Sequence, residues 1–256
     1  MPRLGLLAHP AVASVVAREL GRALEYYERI DSTQTRARTL AAAGATRGLV
    51  VADEQLQGQG THGRLWVAPA ASSLLASWIY RPAPAAPALF AALSGVAVAR
   101  ALDALGCGGA RLKWPNDVEL EGMKVAGALA HGTSDGSGGV LVIGIGVNVR
   151  QRGGDLPVEL RARATSLALQ GHEVDRLALL GRLTAELDRL EQQDERERAL
   201  VEWRERSTVL GRAVRVSIAG GAGFTGTAAA IDDDGALVVR TASGIERVVA
   251  GEVVLA

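Results

Sequence analysis

The segment GLVVADEQLQGQGTHGRLWVAP (48–69) runs from an apolar stretch directly into a loop with three closely spaced glycines. Its apolar start is typical of a buried strand, and SLLASWIY (73–80) predicts the strand that follows the loop. Glycine has more backbone freedom to lose on folding than any other residue, so Gly58, Gly60 and Gly63 predict a loop here. Backbone N–H groups in such a loop can approach a phosphate or carboxylate closely, because no Cβ atoms stand in the way.

The composition indicates a globular protein with a sizeable core. The chain has 256 residues, is 48% hydrophobic, and carries 28 basic and 28 acidic residues, so it shows no electrostatic footprint for nucleic acid or an anionic membrane. A single cysteine, Cys107, excludes an intrachain disulfide. The N-terminus lacks a signal-peptide layout, and no uninterrupted apolar run reaches the roughly 18 residues of a membrane span. We therefore expect a cytoplasmic protein.

Periodicity and turn residues predict the order of elements before residue 211. Leu4 to Ala8 is predicted as a short strand, and the apolar spacing from Val12 to Leu24 predicts a helix. DST (31–33) supplies N-cap residue types for an alanine-rich helix that ends at Gly44. Helices are also predicted at 87–106 and from Leu177 to Leu190, and strands at 110–114, 124–132 and 139–149, the last two joined by the turn TSDGSGG (133–139).

From about Gly211 the pattern changes to short β-rich runs separated by the turns AGGAG, DDDG and ASG. We therefore predict two domains, residues 1–210 and residues 211–256. The fold class is α+β: a mixed β-sheet with flanking helices, followed by a small barrel-like β domain.

The glycine loop ends in residues suited to an anion and a ring. Arg64 offers a planar cationic fork, and Trp66 offers a flat apolar wall. A plain surface loop between two strands explains the glycines equally well. The GxGxxG spacing does not indicate a Rossmann fold, because a strand follows it and no suitable acidic residue comes about 20 positions later.

KWPND (113–117) places a cation and an indole beside a proline turn. A β-turn accounts for the proline, asparagine and aspartate, but not for Lys113 and Trp114 beside them. Lys124 begins an otherwise apolar strand, where it is either a solvated strand end or a cation at a site of developing negative charge. GIGVNV (144–149) is a strand with glycines for close packing, and its Asn148 is a turn residue or a ligand contact.

Four motifs follow one another along the chain: DSTQT (31–35), QLQGQGTHGRLW (55–66), KWPNDV with a following lysine, and GIGVNV. Together and in this order, they resemble the catalytic domain of biotin–protein ligases. The resemblance covers residues 30–255. It implies a mixed sheet like that of class II aminoacyl-tRNA synthetases and of biotin and lipoate ligases, with a C-terminal SH3-like β-barrel. It also implies an enzyme that activates biotin with ATP and Mg²⁺ as biotinyl-5′-AMP, then passes the biotinyl group to a lysine of a biotin carboxyl carrier protein.

The resemblance also assigns roles to individual residues. It implies that the catalytic residues are Lys124 and Arg64, with Asp117 as the residue that orients the acceptor lysine or takes its proton. No protein metal ligand is implied. The implied biotin-binding residues are Ser32, Thr33, Gln34, Gln55, Gln59, Gly60, Thr61 and Lys124, and the implied ATP-binding residues are Gly58, Arg64, Trp66, Lys113, Asn116 and Asn148.

The loop departs from the family pattern, which is commonly G-R-G-R-x-G-R. Gln59 and Thr61 replace two arginines, the second of which helps the family to retain the adenylate. Losing a charge-assisted phosphate contact costs roughly 1.5–3 kcal/mol, or about 10- to 150-fold in retention. We expect a looser adenylate pocket unless His62 or another cation compensates. His62 is otherwise a bystander.

Several alternatives remain at this point. A lipoate–protein ligase shares the fold, and a non-catalytic biotin sensor is compatible with the loss of the two arginines. A transcriptional regulator is disfavoured, because the 30 residues before Asp31 are too few for the N-terminal DNA-binding domain of bifunctional relatives. We thus expect a monofunctional ligase that does not bind nucleic acid or membranes. A monomer and a homodimer are equally compatible with the sequence, and Cys107, His9, His131 and His172 receive no catalytic role.

Overall fold

A computed structural model describes residues 3–134, 138–218 and 223–256, apart from the side chains of Arg3 and His62. The helices are α1 (Pro10–Glu19), α2 (Thr33–Ala42), α3 (Pro87–Ala104), α4 (Arg176–Arg189) and α5 (Gln193–Arg206). The strands are β1 (Ala23–Ile30), β2 (Gly48–Gln55), β3 (Ser73–Tyr80), β4 (Arg111–Lys113), β5 (Asp117–Leu120), β6 (Met123–Thr133), β7 (Val140–Asn148), β8 (Ala213–Ser217), β9 (Phe224–Ile231), β10 (Leu237–Thr241), β11 (Gly244–Val248) and β12 (Glu252–Leu255). Short 3₁₀ helices lie at Arg3–Ala8, Thr61–Gly63 and Val158–Leu160.

Within these ranges the strands form two sheets. The first has the order β1-β2-β3-β7-β6-β5-β4, in which β1 and β2 are parallel and the other pairs are antiparallel. The second is antiparallel, with the order β11-β10-β9-β8-β12, and its strands all follow residue 212. The predicted fold class, a mixed sheet with flanking helices and a separate C-terminal β module, is confirmed. The domain boundary at 210/211 stays a prediction.

Both faces of the first sheet are covered, which explains why β3 is buried along its whole length. Successive side chains of a strand point to opposite faces. Accordingly, Trp78 packs in the large core with α3 and α4, whereas its neighbour Ile79 packs in a smaller core under α2. Helix α3 is long and apolar enough to span a membrane by length and composition alone, but 56% of it is buried inside this fold.

Two predictions for the N-terminal region were wrong. Residues Arg3–Ala8 form a 3₁₀ helix rather than a strand, and Leu4 is buried in the large core. The helix predicted from Val12 to Leu24 ends at Glu19, and Leu24 lies on β1. Leucine fits helical and strand periodicity equally well over so short a stretch, so the boundary was set by the pairing of β1 with β2.

The C-terminal module is attached through the tryptophan of the KWPND motif. Trp114 is 2% exposed, and its Nε1 donates a hydrogen bond to the carbonyl of Gly235 at 3.1 Å. Arg204 of α5 adds a bond to the Ile231 carbonyl at 2.9 Å and an ion pair with Asp233 at 2.8 Å. The turn between β4 and β5 is therefore held against the second sheet. The turn predicted at 133–139 joins β6 to β7, although its residues 135–137 lie outside the described ranges, as does most of AGGAG.

We expect the change Trp114→Phe to lower the free energy of unfolding by about 1–3 kcal/mol, because it leaves the Gly235 carbonyl without its buried donor. Urea denaturation measures this loss. Val158→Ala, at a side chain that is 73% exposed, is the control and should change stability by less than about 0.5 kcal/mol. A Trp114→Phe protein as stable as the parent would contradict this account of the interface.

Candidate active site

The start of α2 forms one wall of the site. Ser32 is the N-cap, and its Oγ accepts a hydrogen bond from the backbone N of Thr35 at 3.4 Å. This cap places Thr33 and Gln34 in the first turn of α2, where both are buried. Thr33 donates to the Oε1 of Gln55 through its backbone N at 2.8 Å and through its Oγ1 at 3.0 Å. The cap and the end of β2 therefore hold each other in place.

Ser77 completes this wall and was not among the residues predicted from the sequence. It is fully buried on β3, and its Oγ lies 2.9 Å from Thr33 Oγ1 and 3.1 Å from Gln34 Oε1. The Nε2 of Gln34 donates to the Val142 carbonyl at 3.2 Å, so the amide is oriented from both sides. The only available signal was a serine in the middle of an apolar strand, which is not specific on its own.

Glycines on β6 and β7 make room for the side chains of the site. A Cβ at Gly144 would lie 2.5 Å from Gln34 Oε1, and a Cβ at Gly146 would lie 2.6 Å from the Trp66 ring. Real Cβ atoms do not approach so closely, so β7 can carry the site only with glycine at these two positions. A Cβ at Gly127 on β6 would be tight as well, at 3.0 Å from the Nζ of Lys124. The close-packing interpretation of GIGVNV is thus confirmed.

The glycine loop, defined here as residues 56–72, folds back on its own backbone. Trp66 N donates to Gly58 O at 2.9 Å, and Gly60 N donates to Arg64 O at 2.8 Å. A Cβ at Gly58 would lie 2.5 Å from the carbonyl oxygen of Trp66, which explains the glycine there. The loop thereby lays the indole of Trp66 across β6 and β7. The indole Nε1 is buried and has no hydrogen-bond partner within the described residues.

Two of the cations at the site, Lys124 and Arg64, are each paired with a carboxylate. The Nζ of Lys124 lies 2.5 Å from Asp117 Oδ1 and 5.8 Å from the centre of the Trp66 ring. Arg64 Nη1 lies 2.8 Å from Glu252 Oε1 of the C-terminal module, a partner that the sequence analysis did not identify. Both pairs are partly exposed, so they are weak enough to exchange partners.

Glu119 is an acidic side chain next to the pair of Lys124 and Asp117, and burial shifts its pKa. Burial raises the pKa of Glu119, and the charge of Lys113 acts in the opposite direction. Glu119 lies opposite Lys124 across β5 and β6, just after a register shift between Val118 and Glu119. The shift accompanies the pairing of Asp117 with Gly127, which brings the Asp117 carboxylate within reach of the lysine.

Two neighbouring cavities lie along these residues. A narrow cavity of about 50 Å³ is lined by Thr33, Gln34, Gln55, Gln59, Gly60, Thr61, Trp66, Ser77, Asn116, Lys124, Gly127, Gly144 and Gly146, among others. It shares Gly60, Thr61, Asn116, Ala128 and Leu129 with a cleft of about 470 Å³ between the first sheet and the C-terminal module. The volume of the larger cleft is in the usual range for a small-molecule site, and the two cavities together suit an elongated ligand.

The structure brings most of the predicted residues to this place. Arg64 and Lys113 line a third, small cavity with Thr61, Asn116 and Asp117, beside Glu252. The Nδ2 of Asn116 is bonded to the carbonyl of Ala128 on β6. Gly58 is buried under Trp66.

Other predicted residues are engaged elsewhere. Ser32 serves as a helix cap, and Asn148 is buried with its Nδ2 donating to Thr165 O at 2.9 Å. The side chain of His62 lies outside the described residues. Cys107 is buried, and burial raises the pKa of its thiol. Among the described residues, no group of three or more His, Cys, Asp or Glu side chains is placed to hold a metal ion.

Comparisons with known proteins agree with the geometry. Residues 26–148 match the biotin/lipoate A/B protein ligase family, and residues 209–256 match the biotin protein ligase C-terminal domain. The chain is 36% identical to a biotin–[acetyl-CoA-carboxylase] ligase of Paracoccus denitrificans, over 88% of this chain and 97% of the relative. It is 31% identical to a bifunctional ligase/repressor of Bacillus spizizenii, over 92% of this chain and 75% of that protein.

The solved structures show the same likeness. The structure of a biotin protein ligase from Aquifex aeolicus in complex with biotin and ATP superimposes with a TM-score of 0.75 at 28% identity, covering 91% of this chain and 98% of that one. A biotin protein ligase from Leishmania major in complex with biotinyl-5-AMP superimposes with a TM-score of 0.60 at 25% identity, covering 88% and 98%.

We expect Ser77→Ala to lower the free energy of unfolding by about 1–3 kcal/mol, because it removes the buried hydroxyl that bonds to both Thr33 Oγ1 and Gln34 Oε1. Ser94→Ala is the matched control: it is equally buried, but its hydroxyl caps a carbonyl within α3. Chemical denaturation of the two variants should show the larger loss at Ser77. Equal losses of unfolding free energy in the two variants would mean that the hydrogen bonds of Ser77 stabilise the protein no more than those of an ordinary buried serine.

Proposed function

Since the chain belongs to the biotin protein ligase family, we propose that its cleft couples biotin to ATP and then transfers the biotinyl group to a lysine of a biotin carboxyl carrier domain. The protein is an enzyme, and its activity is the ATP-dependent attachment of biotin. The carrier domain as acceptor, the role of each residue and the use of Mg²⁺ belong to the proposal. One observation carries it: Lys124 lines the same narrow cavity as Thr33, Gln34 and Gln55.

Biotin would lie in the narrow cavity, with its polar ring system against the wall formed by Thr33, Gln34 and Gln55. These side chains are already oriented by Ser77 and by backbone carbonyls, so little ordering is needed when the ligand binds. The indole of Trp66 supplies an apolar surface for the rest of the molecule. The carboxylate end would then point toward Lys124, Asn116 and the larger cleft.

In the first step, a carboxylate oxygen of biotin attacks the α-phosphorus of ATP, and the bond to the leaving pyrophosphate breaks. Negative charge gathers at the reacting phosphate, where a nearby cation stabilises the transition state. We propose that Lys124 releases Asp117 and moves its ammonium onto the carboxylate and the α-phosphate. The chain contains only two lysines, Lys113 and Lys124, against an excess of arginine, and a compact ammonium suits a small reacting centre.

Arg64 and Lys113 lie beside the third cavity and would bind the phosphates of the nucleotide. Mg²⁺ would enter with ATP as part of the substrate. Mg²⁺ usually keeps several waters and binds through phosphates and one or two carboxylates, so few protein ligands would be needed. Glu252 is a carboxylate at this place that could contribute to such binding. We propose that the reaction takes place in the cytoplasm.

In the second step, the neutral ε-amine of the acceptor lysine attacks the acyl carbon, AMP leaves, and the amine gives up a proton. Once Lys124 has moved to the phosphate, the Asp117 carboxylate is free to orient the amine or to accept that proton. The loop itself carries neutral Gln59 and Thr61 along the cavity, and the Nε2 of Gln59 donates to Thr35 Oγ1 at 3.3 Å. We propose that it retains the adenylate less tightly than an arginine-bearing loop would.

We expect Lys124→Ala to lower biotin-dependent ATP–pyrophosphate exchange by at least about 100-fold, because the charge that stabilises the first transition state is lost. Lys124→Arg should recover part of the rate. Arg189→Ala, at a guanidinium that is 64% exposed, is the control and should keep full exchange. Exchange at the parental rate in Lys124→Ala would refute the assigned role.

We expect Asp117→Asn to form biotinyl-AMP at close to the parental rate but to transfer it to a carrier domain at least about tenfold more slowly. Single-turnover transfer from preformed adenylate measures the second step alone. Asp194→Asn, at an exposed carboxylate on α5, is the control. Unimpaired transfer by Asp117→Asn would remove Asp117 from the second step.

A further inference from the structure

A buried arginine ties together the two ends of the glycine loop. Arg176, the first residue of α4, has no exposed surface. Its Nη1 donates to Asp53 Oδ1 at 2.8 Å and to the carbonyl of Ser73 at 3.0 Å. Asp53 lies near the end of β2, before the loop, and Ser73 begins β3, after the loop. One guanidinium therefore bonds to both strands from which the loop emerges.

Asp53 is the centre of this arrangement. Its second carboxylate oxygen accepts a hydrogen bond from the hydroxyl of Tyr26 on β1 at 2.7 Å. Its backbone carbonyl accepts from Ala71 N at 2.9 Å, so the last turn of the loop closes directly onto the residue that Arg176 holds. Burial raises the pKa of Tyr26, and the bond to Asp53 acts in the same direction, so the phenol stays a donor.

The same strand end connects to the residues beside the cleft. The Nε2 of the buried Gln151 donates to Ser73 Oγ at 2.6 Å and to Asn148 Oδ1 at 2.9 Å. The carbonyl of Ser72 accepts from Arg150 N at 2.7 Å. The end of the loop is thus linked through Ser73 to the end of β7, two residues after Gly146.

Stability alone does not account for this arginine. Its Nε and Nη2 are buried and have no hydrogen-bond partner within the described residues, and burial lowers the pKa of the side chain. Replacing a buried ion pair by apolar side chains is often neutral or stabilising. The feature that an apolar side chain could not reproduce is the simultaneous bond to Asp53 and Ser73.

We propose that Arg176 is a positioning residue of the ligase, and that its clamp on Asp53 and Ser73 holds the glycine loop closed over the cleft. Gln55 follows Asp53 by two residues, and Gln59, Thr61 and Trp66 lie on the loop between the clamped ends. Fixing both ends fixes where these side chains meet the cavity. The role in the reaction rests on the proposed function, whereas the effect on the loop does not.

The chain offers a matched control in Arg22. This arginine is also buried, pairs with Asp188 of α4 and donates to the carbonyl of Ile79 at 3.2 Å. Its Nε likewise has no partner within the described residues. It holds the opposite end of α4 and makes none of the described bonds to the glycine loop. Arg22→Met and Arg176→Met therefore each remove the ion pair of a buried arginine, and both ion pairs involve a residue of α4.

The first measurement is amide hydrogen exchange of the ligand-free protein. Arg176→Met should speed exchange in residues 56–72 at least about tenfold relative to Arg22→Met, because only the first variant releases the loop. Tyr26→Phe, which removes one bond to Asp53 and is milder, should act in the same direction to a smaller extent. This measurement needs no substrate, so it does not depend on the ligase assignment.

The second measurement is the release of biotinyl-AMP without an acceptor. Arg176→Met should release it at least about tenfold faster than Arg22→Met and raise the KM for biotin, with a smaller effect on kcat. Asp53→Ala, which removes the acceptor of Arg176, should change loop exchange and adenylate release in the same direction as Arg176→Met. The proposal is overturned if the two arginine variants change loop exchange equally, or if Arg176→Met lowers only the melting temperature.

Discussion

The site depends on a steric constraint: neighbouring strands of the first sheet carry no side chains at Gly127, Gly144 and Gly146. At Gly144 and Gly146, a methyl group would come within 2.6 Å of a side chain of the cleft. Their absence lets Gln34 approach one strand and lets Trp66 lie across two. The polar wall, the indole and the ammonium of Lys124 can therefore share one narrow space. The start of α2 and the glycine loop both contribute side chains to this space.

Residue propensities and apolar spacing correctly predicted the elements that depend on neighbouring residues in the sequence. The N-cap at Ser32, the buried strand that enters the loop and the apolar helix α3 all follow from propensity and spacing, and the structure has them. The family motifs predicted the fold and the activity. The strand predicted at Leu4 was wrong, because tertiary packing decides between helix and strand for so short an apolar run.

Long-range partners could not be predicted. Ser77, Arg176 and Glu252 are ordinary residues in the sequence, and their importance comes from groups that lie far away along the chain. Arg176 is separated by 123 positions from Asp53, and Glu252 by 188 positions from Arg64. Which polar residue pairs with which is settled only when the sheet is assembled. The individual roles of the site residues therefore stay predictions, whereas their grouping in one cleft is visible in the structure.

Lys124 and Arg64, two of the three cations that we propose to bind phosphate, are each paired with a carboxylate, Lys124 with Asp117 and Arg64 with Glu252. This gives the central claim a direct test, a crystal structure with biotin and a non-hydrolysable ATP analogue. The account predicts that the ammonium of Lys124 leaves Asp117 and lies within hydrogen-bond distance of both the biotin carboxylate and the α-phosphate. A lysine that remains on Asp117 or turns to bulk solvent, away from both substrates, would contradict it.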